Sequence, residues 1–160
     1  MGLSEMQGEF RAFDGELLID NADISKSSVN VSIDAASIDM DVDKLNEHLK
    51  TKDFFDATSQ PKLTFKSTKV EAKGDNGLTV TGDLTLLGVT KPVTLDVTMK
   101  KVASHPFAKR PAIGFHAEGT IKRSDFGMNY GIPNIGDVVK IRIDSETIQA
   151  APAAAEAAKS

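Results

Sequence analysis

The chain has 160 residues, of which 40% are hydrophobic and 26% charged, and its formal net charge is -4. This length suits one domain with a buried core, and the composition is that of a soluble globular protein. The negative charge and the scattered basic residues, which form no cluster longer than a pair such as Lys100-Lys101, argue against a nucleic-acid partner. The chain has no cysteine, which excludes disulfides and thiolate sites. No apolar run is long enough to span a membrane, and no basic-then-apolar signal opens the sequence as given.

Apolar and polar residues alternate along most of the chain with a period of two, which marks strands with one buried face. In the segment 78–86, for example, Leu78, Val80 and Leu84 face one side, while threonines and Asp83 face the other. Threonine and β-branched residues dominate these segments, as half-buried strands prefer. In chain order the strands with the clearest alternation are residues 28–34, 61–70, 78–86, 93–99, 113–121 and 139–143.

Short turn sequences separate these strands. The sequence Gly-Asp-Asn-Gly at 74–77 predicts a tight hairpin, Gly88 predicts a second, and Asp14-Gly15 a third, ahead of residues 16–20. Successive hairpins give an up-and-down order in which each strand lies beside its neighbour in sequence. Because the connections are short and no Greek-key crossover is evident, we predict an all-β, antiparallel β-barrel rather than a sandwich.

Residues 43–55 break the alternation. They contain good helix formers, with Leu45 and Leu49 four residues apart on one face, and predict one short helix. The pair Phe54-Phe55 is expected to return to the sheet after it. We assign residues 1–149 to the barrel domain and expect the alanine-rich residues 150–160 to form a disordered tail.

The sequence offers no credible catalytic set. The D-x-D-x-D spacing at 39–43 opens calcium loops, but Lys44 and Lys50 stand where such a loop needs Gly and Glu. No nucleophile elbow or phosphate-binding loop is present, and a triad of Ser124 and Asp125 with a histidine has no support from spacing. We therefore expect no enzyme activity, catalytic residue, metal or cofactor. The three histidines are far apart in sequence: His48, His105 and His116.

With no catalytic set in the sequence, large apolar side chains are the remaining candidates for a functional role. The chain has eight Phe and five Met but no Trp. These side chains could simply fill the core, or as a group they could line a pocket for an apolar ligand. Composition leaves both interpretations open.

Seven segments, in register along most of the chain, resemble the YceI-like, polyisoprenoid-binding family of periplasmic proteins. No single segment is decisive, but their order is very specific. They are F-D-G at 13–15, V-S-I-D-A-A-S-I-D at 31–39, H-L-K-T-K-D-F-F-D at 48–56, P-K-L-T-F-K-S at 61–67, G-D-L-T-L-L-G-V-T-K-P-V-T-L at 82–95, R-S-D-F-G at 123–127 and G-D-V-V-K-I-R-I-D at 136–144.

The resemblance implies a lipocalin-like, eight-stranded barrel with a short helix at one end. It also implies a periplasmic or secreted bacterial protein, linked to stress responses, that holds an isoprenoid, quinone or similar lipid without catalysis. Combined with strand parity, it predicts that the ligand is lined by an inward set with Phe54, Phe55 and Phe126 near a mouth. The full predicted lining is Val31, Ile33, Phe54, Phe55, Phe65, Leu84, Leu86, Leu95, Val97, Phe115, Phe126 and Ile141.

Members of the family begin with a further strand and a signal peptide, whereas this chain starts inside the later segment. We therefore expect about seven of the eight strands, an open barrel edge and, as a hypothesis, a homodimer formed through that edge. The alternatives to a lipid carrier are a small barrel enzyme acting on a bound lipid, and a stress-response interaction module without a ligand.

Overall fold

The fold is taken from a computed structural model of the chain. The structure describes residues 5–20 and 22–148, without the side chain of Val102, and the backbone of Glu156–Lys159. No helix in this part of the chain is long and apolar enough to cross a membrane.

Ten strands and one α-helix make up the described fold. The helix α1 spans Asp43–Leu49, and 3-10 turns occupy Ile24–Lys26, Ala35–Ser37 and Arg123–Phe126. The strands are β1 Glu9–Phe10, β2 Phe13–Leu18, β3 Ser28–Asp34, β4 Ile38–Asp39, β5 Lys62–Lys73, β6 Gly77–Leu86, β7 Val89–Val102, β8 Ala112–Lys122, β9 Val138–Ile148 and β10 Glu156–Lys159.

One curled antiparallel sheet carries the architecture, with the strand order β10-β2-β3-β5-β6-β7-β8-β9. From β2 to β9 every strand of this sheet lies beside its sequence neighbour, and seven strands form a half-barrel. The all-β, up-and-down prediction is confirmed. Strands β1 and β4 form a separate two-stranded antiparallel ribbon. The eighth strand, β10, pairs with β2; the rest of the predicted tail at 150–160 lies outside the described residues.

Two of the three predicted hairpins are present. The turn at 74–77 joins β5 to β6, and Leu87-Gly88 joins β6 to β7 with positive φ at both residues (54° and 72°), as a two-residue hairpin requires. The third prediction is wrong, because Asp14 and Gly15 lie inside β2, where they pair with Ser32 and Val31 of β3. Cross-strand pairing thus overrides the local turn signal.

The helical segment is shorter than the predicted stretch 43–55. Helix α1 ends at Leu49, and the backbone then folds through turns in which the Thr51 hydroxyl donates to the carbonyl of His48 (2.6 Å). The chain returns to the sheet as expected, since Phe54 is buried in the core and Phe55 packs against it.

Candidate functional site

The inner face of the half-barrel is lined with apolar side chains. Strand parity predicted this face, and all but one of the predicted lining residues belong to a single hydrophobic cluster. Fully buried in it are Phe54, Phe65, Leu84, Leu86, Leu95 and Phe126. Half-buried against it are Val31, Ile33, Phe55, Val97 and Phe115, while Ile141 is half-buried on β9 outside the cluster.

Burial on this inner face is uneven. We call the inner face of β5 and β6 the closed side: Val80, on β6, is only 2% exposed. We call the inner face of β3, β8 and β9 the open side: there Phe115 and Ile143 remain half-buried, and Val139 is 39% exposed. The open side therefore presents apolar surface that the protein itself does not fully cover.

Two glycines let large side chains lie flat on the sheet. A Cβ at Gly82 would come within 2.5 Å of the Phe65 ring, and a Cβ at Gly119 within 2.5 Å of a Leu95 methyl. Glycine is required where a neighbour approaches the backbone this closely. The recess at Gly119 brings Leu95 of β7 onto the inner face of β8.

One end of the half-barrel is covered by an aromatic cap, which we define as Phe10, His48, Phe54, Phe55 and Tyr130. The rings of Phe54 and Tyr130 lie 5.3 Å apart, and both contact the His48 ring edge-on at 5.1 Å. Phe10 and Phe55 form another edge-on pair at 5.3 Å. Such pairs contribute about 0.5–1.5 kcal/mol beyond the area that they bury. The cap buries Phe54, while Tyr130 remains 45% exposed.

A buried arginine organises the β8–β9 connection beneath the cap. Arg123 is 4% exposed, and its guanidinium donates to the carbonyls of Met128 (3.1 Å), Tyr130 (2.9 Å) and Ile135 (2.8 Å). It also donates to the carbonyl of Gly136 (2.7 Å). Sequence reasoning missed this role, because backbone carbonyls leave no residue signature.

The residues considered for a triad lie in the same connection. Ser124 donates to Asp137 through both its hydroxyl (2.7 Å) and its backbone N–H (2.8 Å). These hydrogen bonds, the hydroxyl first, lower the pKa of Asp137. Ser124 is thus bonded to a carboxylate at the far end of its own loop, and the arrangement fixes the loop.

The acidic spacing at 39–43 forms part of a turn network. Asp39 accepts from the Asn46 side chain (2.9 Å) and from the N–H of Asp41 (2.9 Å), and it pairs with Arg11 (2.7 Å). Both hydrogen bonds lower the pKa of Asp39, and the bond from Asn46 has the larger effect.

Across residues 5–20 and 22–148, no cluster of three His, Asp or Glu side chains is arranged to hold a metal ion.

A cavity of about 470 Å³ crosses β7, β8 and β9. Its side chains are mostly those of outward parity, so we place it on the outer face of the sheet. Its lining is Thr98, Met99, Lys100, Gly114, Phe115, His116, Asp144, Ser145 and Glu146. Four of these side chains are ionisable, namely Lys100, His116, Asp144 and Glu146, so we do not assign the apolar ligand to this outer cavity.

His116 lies on this outer face, as its parity predicted. It contacts Asp144 at 2.6 Å and Glu118 at 3.0 Å. These two hydrogen bonds, the Asp144 bond first, raise the pKa of His116, and the same contact lowers the pKa of Asp144. The titratable groups of β8 and β9 thus pair on the outside of the sheet, while the inside of both strands is apolar or carries small residues.

These features define a ligand-binding β-barrel protein with an apolar inner face. Residues 1–147 match the YceI-like domain family. Protein YceI of Shigella flexneri is 38% identical over 149 residues, which cover 93% of this chain and 77% of the relative. Protein YceI of Salmonella arizonae is 37% identical over the same shares.

Solved structures agree with this assignment. The Campylobacter jejuni YCEI protein superposes with a TM-score of 0.85 at 29% identity, covering 94% of this chain and 89% of that one. Burkholderia cenocepacia BcnA gives 0.81 at 29% identity, covering 91% and 89%. The chain belongs to the YceI-like family, and the resemblance found in the sequence is confirmed. The family and the barrel fold support a ligand-binding protein in general.

Proposed function

We propose that the protein carries or sequesters a long apolar or amphiphilic ligand, such as an isoprenoid, a quinone or a similar lipid, without catalysing a reaction. The observation that carries this proposal is the open side, where apolar residues face inward and stay half-buried. The likeness of the chain to the YceI-like family supports a periplasmic location.

Hydrophobic burial alone can supply the affinity for such a ligand. Each CH₂ group removed from water stabilises a complex by about 0.8 kcal/mol, so a long chain needs few polar contacts. The open side offers Phe115, Ile141 and Ile143 to one flank of the ligand and Val31 and Ile33 to the other. A ligand lying there would gain contacts without displacing the packed closed side.

The direct test is organic extraction of the purified full chain, followed by mass spectrometry. We expect a co-purifying lipid with a long hydrocarbon chain, at a stoichiometry that survives buffer exchange. A protein that is empty, and that also fails to take up a quinone or a polyprenyl alcohol added in detergent, would refute the proposal and favour a module without a ligand.

A pair of variants on β9 locates the ligand. Ile141→Gln places a polar group on the open side, whereas Val138→Gln changes a residue of outward parity that is 57% exposed. We expect Ile141→Gln to lower the lipid recovered at least about fivefold, since burying an unpaired amide costs about 1–3 kcal/mol. Val138→Gln should keep its lipid. Circular dichroism checks both folds, and equal retention in two folded variants would place the ligand elsewhere.

A further inference from the structure

The β7–β8 connection lies in the longest acid-free stretch of this acidic chain. From residue 97 to residue 117 there is no Asp or Glu, while Lys100, Lys101, Lys109 and Arg110 lie within eleven residues. Antiparallel pairing of β7 with β8 folds the two basic pairs back toward each other, because Lys101 lies opposite Ile113. The cations that look scattered along the sequence therefore gather around one loop.

All four cations are available to a partner. Each is exposed, and within the described residues none of them forms an ion pair. The acid that reaches this loop is Glu146 of β9, which is engaged by His105 at 2.7 Å. The loop therefore keeps a net positive charge, because its four cations outnumber this single carboxylate.

An aromatic side chain stands at the tip of the same loop. Phe107 is 91% exposed, the most exposed large hydrophobic residue that the structure describes. A fully exposed Phe in a monomer is unusual, and exposed apolar groups next to charge mark interaction sites. The His105 ring lies beside it, with 6.0 Å between centroids, but leaves the outer face of the Phe107 ring free.

The loop holds Phe107 in a defined position. The N–H groups of Phe107 (3.3 Å) and Ala108 (3.2 Å) both donate to Nδ1 of His105, whose Nε2 lies against Glu146. Nδ1 must be unprotonated to accept, so Nε2 carries the hydrogen that is donated to the carboxylate. Backbone bonds from His105 to the carbonyl of Arg110 (2.7 Å) and from Lys109 to the carbonyl of His105 (2.9 Å) close the turn.

We propose that this loop docks the protein on an anionic lipid bilayer, with the Phe107 ring in the boundary between headgroups and acyl chains and the four cations on lipid phosphates. A single protruding ring surrounded by cations is the pattern of an interfacial anchor. Single-stranded nucleic acid is bound instead by a groove with several stacking rings, which this loop lacks. The proposal does not depend on the identity of the cargo.

The test uses Phe107→Trp in the full chain, which otherwise contains no tryptophan. With vesicles of phosphatidylcholine containing about 30% phosphatidylglycerol, we expect the tryptophan emission to shift to the blue, and the protein to sediment with the vesicles. Pure phosphatidylcholine vesicles should give little of either. Raising the salt concentration should release the protein, since the Debye length shrinks to about 3 Å at 1 M.

Variants that remove charge from the loop measure how much its cations contribute to vesicle binding. The double variant Lys109→Gln, Arg110→Gln should bind about 30-fold more weakly, because each cation at an anionic surface contributes about fivefold. The matched control is Lys44→Gln, Lys52→Gln, which removes two exposed cations from the segment at the capped end. A control tryptophan introduced by Val138→Trp, also at an exposed position, should keep its emission.

Each alternative outcome overturns the proposal. If the Phe107→Trp variant binds the vesicles with unchanged tryptophan emission, it has docked through another face. Equal binding of both charge variants shows that the loop cations do not select the surface. Tight binding to a single-stranded oligonucleotide, without binding to the anionic vesicles, assigns the loop to nucleic acid. A protein without bound lipid can still be tested in this way, because the probe is the vesicle and not the ligand inside the half-barrel.

Discussion

The closed and open sides share one sequence pattern but differ in burial. Val80 and Leu86 on the closed side are 2% and 3% exposed, whereas Ile143 on the open side stays half-buried. Strands β5 and β6 lie in the middle of the sheet, where its curl covers them, while β9 lies at an edge. Alternation thus decides which way a side chain points, and the place of its strand in the sheet decides how far it is covered.

The outer face of the sheet also differs between the two sides, in the kind of polar contact that it carries. Outside β6 and β7, neighbouring threonines pair through their hydroxyls, as Thr85 and Thr90 do at 2.8 Å. Outside β8 and β9 the contacts are between charged groups, such as His116 with Asp144. We infer that the open side depends more on polar contacts and on its buried arginine, because its apolar face contributes less burial.

Loss of Arg123 should have the largest effect on stability. Arg123→Ala removes a guanidinium that is 4% exposed and leaves the carbonyls of Met128, Tyr130 and Ile135 without their donor, and we expect a loss of about 4 kcal/mol in the free energy of unfolding. Urea denaturation followed by circular dichroism measures it. Arg142→Ala, on the exposed outer face of β9, is the control and should change little. Similar losses in the two variants would contradict the assigned role.

Truncating one apolar residue on each side tests the comparison itself. Leu86→Ala should lower the free energy of unfolding by about 3 kcal/mol, whereas Ile143→Ala should cost about 1 kcal/mol, since Ile143 is already partly exposed. For retention of the lipid we expect the reverse order. If urea denaturation gave the same loss in the free energy of unfolding for both variants, the distinction between the two sides would be contradicted.

The fold could largely be predicted from the sequence. The alternation at 28–34 gave the bounds of β3 directly, because period two is read from the residues of the strand alone. Strand β7 spans Val89–Val102 and is longer than the predicted 93–99. Its backbone pairing with β6 continues to Thr90 and Val89, which lie before the alternating stretch. Asp14-Gly15 was misread for a related reason, as its pairing partner is remote in sequence.

The candidate site was less predictable. Parity identified inward residues such as Phe115 and Ile141, but not their half-burial, which depends on the place of β8 and β9 at one end of the strand order. Arg123 and the loop around Phe107 were missed for another reason. The partners of Arg123 are carbonyls, and the basic residues around Phe107 come together only when β7 and β8 pair.

The smallest expected effect is a pH dependence on the outer face of the open side. Contacts with Asp144 and Glu118 raise the pKa of His116 above its ordinary 6.5, and contact with His116 lowers the pKa of Asp144 below 3.8. The stabilisation is therefore fully present from about pH 4 to about pH 6.5. It declines as the pH rises through the raised pKa of His116, or falls through the lowered pKa of Asp144. The effect is modest, because both side chains are substantially exposed to water.

His116→Gln measures this contribution. The difference in urea midpoint between the wild type and the variant should be greatest near pH 5.5 and should shrink above neutral pH, as the imidazolium loses its proton. Asp144→Asn should flatten the profile more than Glu118→Gln, since Asp144 is the stronger of the two partners. A difference that is constant from pH 5 to pH 9 would show that His116 acts through packing. His116 would then contribute nothing electrostatic to the outer face of the open side.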